Sequence, residues 1–244
     1  MDRVYNRRCV YVNQLSLYKS YDNGSFVILI DHVKEKYLAT QNLDTGKSVY
    51  GEKIIKIDDL EYRIWEPYRS KLAGAIFKNL REHPIKESTS VLYLGASTGT
   101  TVSHVSDIVG NKGMVFAVEP SVRVAREFLE NVASRRKNVI PILMDARRFL
   151  HYYSYYGAVN VVYSDIAQPD QTDIAINNCK CYLKLGGDLL IVIKTRSIDV
   201  LTDPKLVTQN EAKKLENNQF QILQIINLEP FDKDHSLIHA KYVG

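Results

Sequence analysis

The chain has 244 residues, enough for one full α/β domain with a small appended domain. Hydrophobic residues make up 45% of the chain and charged residues 25%, a globular balance that argues against intrinsic disorder. A formal net charge of +4 is mildly basic and lacks the dense basic blocks of a stand-alone nucleic-acid-binding protein, so any RNA affinity would be shared with partners.

Cysteine usage and hydropathy predict the cellular setting. Cys9, Cys179 and Cys181 are too few and wrongly spaced for a disulfide framework or a four-ligand zinc site, which indicates a reducing, intracellular compartment. No stretch reaches the ~18 consecutive apolar residues of a membrane span, and the N-terminus leads into polar sequence rather than a signal-peptide core. We therefore expect a soluble, cytoplasmic protein without a membrane partner.

Residues 1–60 predict a small antiparallel β domain. Short β-prone runs at residues 9–12 and 26–30 alternate with turn signals at residues 22–24 and 45–46. We therefore place one domain at residues 1–60 and a second at 61–244.

After Pro67 the pattern changes to that of a helix, with Leu72, Ala75, Ile76 and Leu80 at near-helical spacing. From residue 90 onward, apolar runs of strand length alternate with amphipathic stretches of helix length, which indicates βαβ units and a mostly parallel sheet. The predicted strands are 91–95, 114–119, 139–144, 160–166 and 188–194, and the predicted helices are 101–109, 121–136 and 171–184.

The C-terminal end predicts a change of strand direction. A sixth helix-strand pair spans about 205–230, and the turn Phe231-Asp232-Lys233-Asp234 is too short for a right-handed crossover. The last strand, 235–243, must therefore run antiparallel. This seven-stranded mixed sheet is typical of Rossmann-like methyltransferases, whereas dehydrogenases usually keep every strand parallel.

The first strand of the βαβ region runs into a loop of small residues and then a helix start, Gly95-Ala-Ser-Thr-Gly99-Thr-Thr. Gly95 and Gly99 can adopt dihedrals that other residues avoid, and the helix N-terminus offers free N–H groups to a carboxylate. The spacing differs from the Gly-x-Gly-x-x-Gly of a pyrophosphate-binding loop. A plain tight turn explains this motif equally well.

Polar residues end each of the following strands. Glu119 could accept both hydroxyls of a ribose, although a solvated carboxylate is the alternative. Asp145-Ala146 could hold an adenine edge, or Asp145 could be a helix N-cap. Lys194 could be a functional cation, or a lysine that extends from a buried strand to water.

The run Asp165-Ile-Ala-Gln-Pro-Asp-Gln171 has more polar groups than one loop needs. Its first residue emerges at the same sheet edge as Lys194, and an antiparallel last strand places His235 there too. In an open α/β sheet that edge is the ligand crevice. We therefore expect one crevice lined by Gly95, Glu119, Asp145, Asp165, Lys194 and His235.

In these motifs the chain resembles archaeal fibrillarin, the guide-RNA-directed enzyme that 2'-O-methylates RNA ribose. The resemblance rests on Tyr50-Gly51-Glu52, on residues 65–76, 92–107 and 194–199, and on the Asp-Ile-Ala-Gln-Pro-Asp-Gln run. It departs from the family in Gly-Ala-Ser-Thr-Gly for Gly-Ala-Ala-Ser-Gly, and in Pro120 where the family usually has Phe.

The resemblance implies both a cofactor site and a catalytic set. S-adenosylmethionine would be bound at Gly95, Thr100, Thr101, Glu119, Pro120, Asp145, Ala146, Asp165, Ile166, Ala167 and Gln168. The catalytic residues would be Lys71, Asp165, Lys194 and His235. Lys71 comes from the resemblance alone, since by its own pattern it passes for a surface cation. Lys194 would serve as a cation beside the 2'-oxygen or as the base, and no metal is required.

The resemblance also implies the partners: a box C/D guide RNA with target rRNA or tRNA, a Nop-family scaffold protein and a kink-turn-binding, ribosomal-protein-like subunit. The tyrosine run at 152–156 could belong to the scaffold interface or pack on the sheet. The basic groups at 135–137 and 147–148 could contact phosphates or form a solvated face.

Three alternatives remain: a small-molecule O-methyltransferase, a non-catalytic assembly subunit, and a nucleotide-dependent oxidoreductase. The 165–171 run argues against the first. Joint retention of Lys71, Asp165, Lys194 and His235 argues against the second, and glycine spacing with the terminal hairpin argues against the third.

Overall fold

The computed structural model describes residues 10–12, 15–22, 25–30, 34–155 and 158–244, with the backbone alone described at 10–12, 15–22, 30 and 153–155. Cys9, His32, and Asn23 and Gly24 of the predicted turn lie outside the described residues. The same is true of Tyr156 and of the side chains of Tyr153 to Tyr155 in the tyrosine run.

The amino-terminal part of the chain folds as an antiparallel sheet with strand order β1-β2-β3-β4-β6-β5. Its strands are β1 Val10–Val12, β2 Leu15–Asp22, β3 Val27–Ile30, β4 Lys36–Gln41, β5 Ile54–Ile57 and β6 Leu60–Ile64. Strand β6 pairs with both β4 and β5, so the sheet continues past the boundary expected at residue 60.

The second part is a seven-stranded mixed sheet with order β12-β13-β11-β10-β7-β8-β9. Its strands are β7 Ser90–Leu94, β8 Met114–Val118, β9 Val139–Ile142, β10 Val159–Ser164, β11 Leu183–Lys194, β12 Phe220–Asn227 and β13 His235–Tyr242. Strands β7 to β11 pair in parallel, and β13 lies antiparallel between β11 and β12. The Rossmann-like fold and the antiparallel last strand are therefore confirmed.

Helices cover both faces of this sheet. They are α1 Lys71–Phe77, α2 Thr100–Val109, α3 Val122–Phe128, α4 Gln171–Tyr182, α5 Thr195–Ile198 and α6 Pro204–Glu216. Successive strand residues point to opposite faces, so Val91 and Tyr93 join the core under α1 and α2, while Leu92 and Leu94 join the core under α4. Burial on both faces explains why the central strands are continuously apolar.

Most elements differ from the predicted bounds by one or two residues, and two elements differ more. The helix expected at 121–136 is α3 followed by a π-helical turn, Leu129–Ala133. The strand expected at 188–194 begins at Leu183, which pairs with Val159 and is buried. Gly186, at φ 75°, and Gly187 let the chain bulge and continue the strand. None of the helices within the described ranges is long and apolar enough to cross a membrane.

Candidate active site

Two adjoining cavities, each of about 220 Å³, open at the carboxyl ends of the parallel strands. They share Gly95, Ser97, Asp165 and Lys194. The cavity that also contains Glu119 and Asp145 is called the β8–β9 cavity below, and the one that contains Lys71 and Thr101 is called the α1–α2 cavity. The crevice expected from strand direction thus has two halves that meet at Asp165.

The β8–β9 cavity brings together most of the residues expected to bind the cofactor. It is lined by Gly95, Glu119, Pro120, Asp145, Ala146, Asp165, Ile166, Ala167 and Gln168. Thr100 and Thr101 line the α1–α2 cavity instead. The expected set is therefore divided between the two halves of one crevice.

Gly95 brings two strand-to-helix loops into contact. Its φ is +87°, and a Cβ atom there would lie 2.8 Å from the backbone oxygen of Asp165. The amide of Asp165 in turn donates to the backbone oxygen of Leu94 at 2.9 Å. This close approach requires glycine, both for its backbone dihedral and for the missing side chain.

Glu119 is 8% exposed, so the alternative of a solvated carboxylate does not describe it. Its two oxygens accept from the amides of Ser97 and Ser121, each at 2.9 Å. A carboxylate offers about four acceptor positions, so further hydrogen bonds to a ribose remain available. Glu119 therefore fixes the glycine loop and can still act as an acceptor inside the β8–β9 cavity.

The Asp145 carboxylate accepts a hydrogen bond from the backbone amide of Arg147 at 2.8 Å, at the start of the 3-10 segment Ala146–Tyr155. This is the hydrogen bond that a helix N-cap makes, which was the alternative to an adenine contact. Arg147 also lines the β8–β9 cavity, which sequence reasoning missed. Its guanidinium donates to Asp170 at 2.7 Å and 3.0 Å and to Gln168 at 3.1 Å. That pairing lowers the pKa of Asp170 and joins the loops that follow β9 and β10.

The α1–α2 cavity contains an ion-pair cluster centred on Asp165. Lys194 Nζ lies 2.7 Å from Asp165 Oδ1 and 2.9 Å from its backbone oxygen. Lys71 Nζ lies 3.3 Å from Asp165 Oδ2. The three side chains are 16–22% exposed, so solvent screening of their charges is reduced. The structure brings these three predicted residues together.

Helix capping positions Lys71. Ser70 is the N-cap of α1 and accepts from the Ala73 amide at 3.4 Å. The Thr101 hydroxyl donates to the Ser70 hydroxyl at 3.0 Å, which ties the start of α2 to the start of α1. Beneath the cluster, burial raises the pKa of Tyr93 and of Tyr163, and the charge of Asp165 raises both further, so both stay protonated.

His235 pairs with Lys194 across β11 and β13, as the antiparallel last strand predicted, but it lines neither cavity. Its Nδ1 lies 2.6 Å from the backbone oxygen of Lys233 and 3.0 Å from Asp232 Oδ1. The other carboxylate oxygen of Asp232 lies 3.5 Å from Lys71 Nζ. Asp232 therefore links His235 to the cluster, and sequence reasoning treated it only as part of a turn.

Phe231 holds the turn of Asp232 against α1. A Cβ atom at Gly74 would lie 3.3 Å from the Cβ atom of Phe231, so the two residues are in close contact. The Phe231 ring packs against Tyr68 and Phe77 at centroid distances of 5.2 Å and 5.8 Å. On the other side, the Asp234 backbone oxygen accepts from the Thr195 hydroxyl at 2.8 Å. The turn therefore joins α1 to the residue that follows Lys194.

The basic group at residues 135–137 is not simply a solvated face. Arg136 is 3% exposed and pairs with Asp107, and Arg135 pairs with Asp44 in the connection between β4 and β5. The described residues contain no group of three or more histidine, cysteine or carboxylate side chains that could hold a metal ion.

The chain is similar to a known family along most of its length. The family model described as Fibrillarin matches residues 19–244. A fibrillarin-like rRNA/tRNA 2'-O-methyltransferase from Saccharolobus solfataricus is 56% identical over 207 residues, 85% of this chain and 89% of that protein.

Two solved structures are also similar. The fibrillarin of Aeropyrum pernix, in complex with natively bound S-adenosyl-L-methionine, has a TM-score of 0.85 and 40% identity, and the match covers 96% of this chain and all of that one. A chain of a fibrillarin/Nop5p complex has a TM-score of 0.77 and 39% identity, over 84% of this chain and 93% of the other.

Proposed function

Because the chain belongs to the fibrillarin family, we propose that it is an S-adenosylmethionine-dependent RNA ribose 2'-O-methyltransferase that acts on rRNA and tRNA. The observation that carries this proposal is the position of Asp165. Its carboxylate is paired with Lys71 and Lys194 where the two cavities meet, so a charged cluster borders both the pocket with cofactor-type residues and an open polar pocket.

The β8–β9 cavity fits the nucleoside part of the cofactor, with acceptors at Glu119 and Asp145 and apolar surface at Pro120 and Ile166. Both oxygens of Glu119 already accept backbone amides, so a ribose would meet a carboxylate fixed in place. Bound S-adenosylmethionine supplies a methyl group on a good leaving group. The remaining difficulty is the 2'-hydroxyl, a weak nucleophile that is almost entirely protonated at neutral pH.

Lys194 is the residue we assign to the nucleophile. Its ammonium group is held by the carboxylate and by the backbone oxygen of Asp165, so it presents a fixed positive charge beside the shared opening. A fixed cation stabilises negative charge that develops on the attacking oxygen without solvent reorganisation. As the oxygen takes the methyl group, the S–C bond breaks to release S-adenosylhomocysteine, and the hydroxyl proton leaves to solvent through the open cavity. Asp165 orients Lys194 and Lys71, and His235 acts from the outer side through Asp232.

We also propose the assembly: a box C/D guide RNA with its target, a Nop-family scaffold protein and a kink-turn-binding subunit. The 39% identical chain in the fibrillarin/Nop5p complex supports the scaffold. The mild net charge supports guide-directed selection, because base pairing rather than a basic surface would provide specificity. We place this complex in the archaeal cytoplasm.

We propose two domains with the boundary after Ile64 rather than residue 60, since β6 pairs within the amino-terminal sheet.

The experiment that tests the function is transfer of tritium from labelled S-adenosylmethionine to RNA. The purified chain is mixed with a guide RNA, its target and the two partner proteins, with a matched target that has hydrogen in place of one 2'-hydroxyl. We expect label in the intact target only. Label on a free catechol without RNA, and none on the guided target, would instead assign a small-molecule acceptor.

The site is tested in the same assay with Asp165→Ala and Lys194→Ala, which we expect to abolish transfer. Lys205→Ala is the matched control, because Lys205 is exposed on α6 and lines neither cavity. Calorimetric titration of each variant with S-adenosylmethionine separates loss of cofactor binding from loss of transfer. Full activity of Lys194→Ala would remove that residue from the mechanism.

A further inference from the structure

Arg69 lies on the rim of the α1–α2 cavity, beside the ion-pair cluster. It ends the 3-10 turn Pro67–Arg69, is exposed, and lines the cavity together with Lys71, Lys194 and Asp165. The cofactor residues and the catalytic set described above do not include it. Its position two residues before Lys71 places a third cation, beside Lys71 and Lys194, at the opening through which an RNA would approach.

The guanidinium of Arg69 is held in place before any ligand binds. One N–H donates to the backbone oxygen of Tyr50 at 3.2 Å, and the guanidinium carbon lies 4.8 Å from the centre of the Tyr50 ring. The Tyr50 hydroxyl is itself fixed by the Ile64 backbone oxygen at 3.2 Å and by His104 Nε2 at 2.8 Å. Most of the five N–H donors of Arg69 remain available to a ligand.

The charge balance of the cavity favours a bound anion. Arg69, Lys71 and Lys194 contribute three positive charges to its lining, and Asp165 contributes one negative charge. Lys71 and Lys194 are paired with carboxylates, whereas within the described part of the chain the Arg69 guanidinium forms no ion pair and is held by the backbone oxygen and ring of Tyr50. S-adenosylmethionine would add a sulfonium and an ammonium against one carboxylate, so the positive excess would increase.

RNA carries the missing anion next to the reacting atom. In a polynucleotide the 2'-oxygen and the 3'-phosphate are attached to neighbouring ribose carbons, so a 2'-hydroxyl at Lys194 brings a phosphate to the same cavity. A planar guanidinium binds phosphate through two parallel hydrogen bonds, which fixes orientation as well as position. Arg69 is the cation on this rim whose donors are free to do so.

We propose that Arg69 binds the 3'-phosphate of the nucleotide that is methylated, and so sets the position of its 2'-hydroxyl at Lys194. This inference rests on the proposed function and adds a contact to the acceptor strand. It predicts that Arg69 acts on the RNA and not on the cofactor.

The test pairs a protein change with a change in the RNA. Single-turnover methylation is measured for the wild type and Arg69→Ala in the assembled complex, on a target with a native backbone and on one with a neutral methylphosphonate at that single 3'-phosphate. On the native target we expect Arg69→Ala to lower the rate about ten- to a hundredfold, the value of one charge-assisted hydrogen bond. On the methylphosphonate target the two proteins should react at nearly equal rates.

The matched control is Lys78→Ala, which removes the same charge from an exposed position just beyond α1 that lines neither cavity. Its rates should equal those of the wild type. An equal loss for Arg69→Ala on both targets overturns the proposal and makes Arg69 a support of the Tyr50 region only. A weaker affinity of Arg69→Ala for S-adenosylmethionine, measured by calorimetry, also overturns it, because the cofactor carboxylate is then the bound anion.

If the proposed function is wrong, the wild-type protein will label no guided target in this assay, which separates that failure from a failure of the Arg69 proposal. In that case Arg69 is judged by fluorescence anisotropy of a guide–target duplex bound to the protein alone at several salt concentrations. Loss of one phosphate contact should reduce the slope of log affinity against log salt by about 0.7–0.9. An unchanged slope overturns the proposal.

Discussion

Asp165 is the residue on which the charged cluster depends, because its carboxylate separates two cations. Lys71 comes from α1 and Lys194 from the end of β11, and both ammonium groups are within 3.3 Å of Asp165. Without that carboxylate the two cations would face each other, and repulsion would move them apart. The loss of activity that we expect for Asp165→Ala therefore comes from displaced cations as well as from a missing negative charge.

Asp232 is a positioning residue in this cluster, because it contacts both Lys71 and His235 and lines neither cavity. We expect Asp232→Asn to lower kcat for methyl transfer about tenfold, since a charged hydrogen-bond partner is worth roughly 1.5–3 kcal/mol when it is lost. The KM for S-adenosylmethionine should change little, because Asp232 does not line the β8–β9 cavity in which we place the cofactor. Steady-state kinetics of the assembled complex gives both constants.

Asp234→Asn is the matched control for Asp232→Asn. Asp234 lies in the same turn and pairs with Arg196 at 3.4 Å, and its φ of 58° is one that asparagine adopts readily. We expect the Asp234→Asn variant to keep the kcat of the wild type. We expect the Asp232→Glu variant to keep part of the activity that Asp232→Asn loses. Equal losses in Asp232→Asn and Asp234→Asn would assign the effect to the net charge of the turn.

At the scale of elements, the sequence predicts the position of each site residue that stands at the end of a strand, because strand direction decides which edge of the sheet it reaches. Gly95, Glu119, Asp145 and Asp165 each follow a strand whose apolar pattern is clear, and parallel strands end at one edge of the sheet. The position of His235 follows in the same way from the short turn before β13. This part of the lining of the β8–β9 cavity could therefore be predicted from the sequence.

The remaining site residues depend on packing, which leaves no periodic signal. Lys71 reaches Asp165 because α1 docks at the strand ends, and Asp232 reaches Lys71 because Phe231 packs on Gly74. A charged residue on a short helix or in a turn reads as solvent-exposed unless its neighbours in space are known. Family resemblance supplied Lys71, whereas the contacts that bring Asp232, Arg69 and Arg147 to the site became visible only in the fold.

Gly95 joins β7 to α2, and its lack of a side chain is tested by Gly95→Ala. The new Cβ would lie 2.8 Å from a backbone oxygen, which cannot move without displacing Asp165. We expect the affinity for S-adenosylmethionine to fall at least tenfold, together with a stability loss of about 1–2 kcal/mol from the positive φ. Calorimetry and thermal unfolding measure the two effects separately.

The Gly46→Ala variant measures the cost of a positive φ in the absence of a steric clash. Gly46 has a similar φ of +78°, but a Cβ there would meet nothing within 4 Å. This variant should lose a comparable amount of stability and keep its cofactor affinity. If both variants bind the cofactor as the wild type does, contact between the Gly95 and Asp165 loops is not needed for the pocket.

At the scale of the whole molecule, a buried polar network joins the two sheets. Arg63 of β6 pairs with Glu52 and with Asp107 of α2, and all three side chains are 0% exposed. Thr40 of β4 donates to the same Asp107 at 2.9 Å, and Arg136, which follows the π-helical turn after α3, also pairs with it. The amino-terminal sheet is therefore held by ion pairs that water does not reach.

The pKa of Glu52 shows how the network responds to acid. Burial would raise this pKa, but the charge of Arg63 and the amides of Tyr50 and Val49 lower it below the ordinary 4.5. A carboxyl group with a lowered pKa stabilises the folded chain above about pH 4.5, and this contribution is lost as pH falls through the lowered value. Acid should therefore weaken the attachment of the amino-terminal sheet.

Arg63→Met tests the network directly. It leaves Asp107 with Arg136 and Thr40, but it leaves Glu52 buried with only backbone amides as partners. We expect a loss of about 3–5 kcal/mol in the free energy of unfolding, because an unpaired buried charge remains. Adding Glu52→Gln to this variant should restore part of that loss, since it removes the charge. Urea unfolding at pH 7 gives both values.

Lys56→Ala is the control for removing an ion pair as such, because Lys56 and Asp59 are 68% and 97% exposed and lie 3.2 Å apart. An exposed pair contributes about 0–1 kcal/mol, so this variant should unfold almost as the wild type does. If Arg63→Met were equally mild, the two sheets would be independent units, and each should then unfold in its own transition. If the buried network makes the two sheets one cooperative unit, each variant will unfold in a single transition. That transition should shift strongly in Arg63→Met and hardly at all in Lys56→Ala.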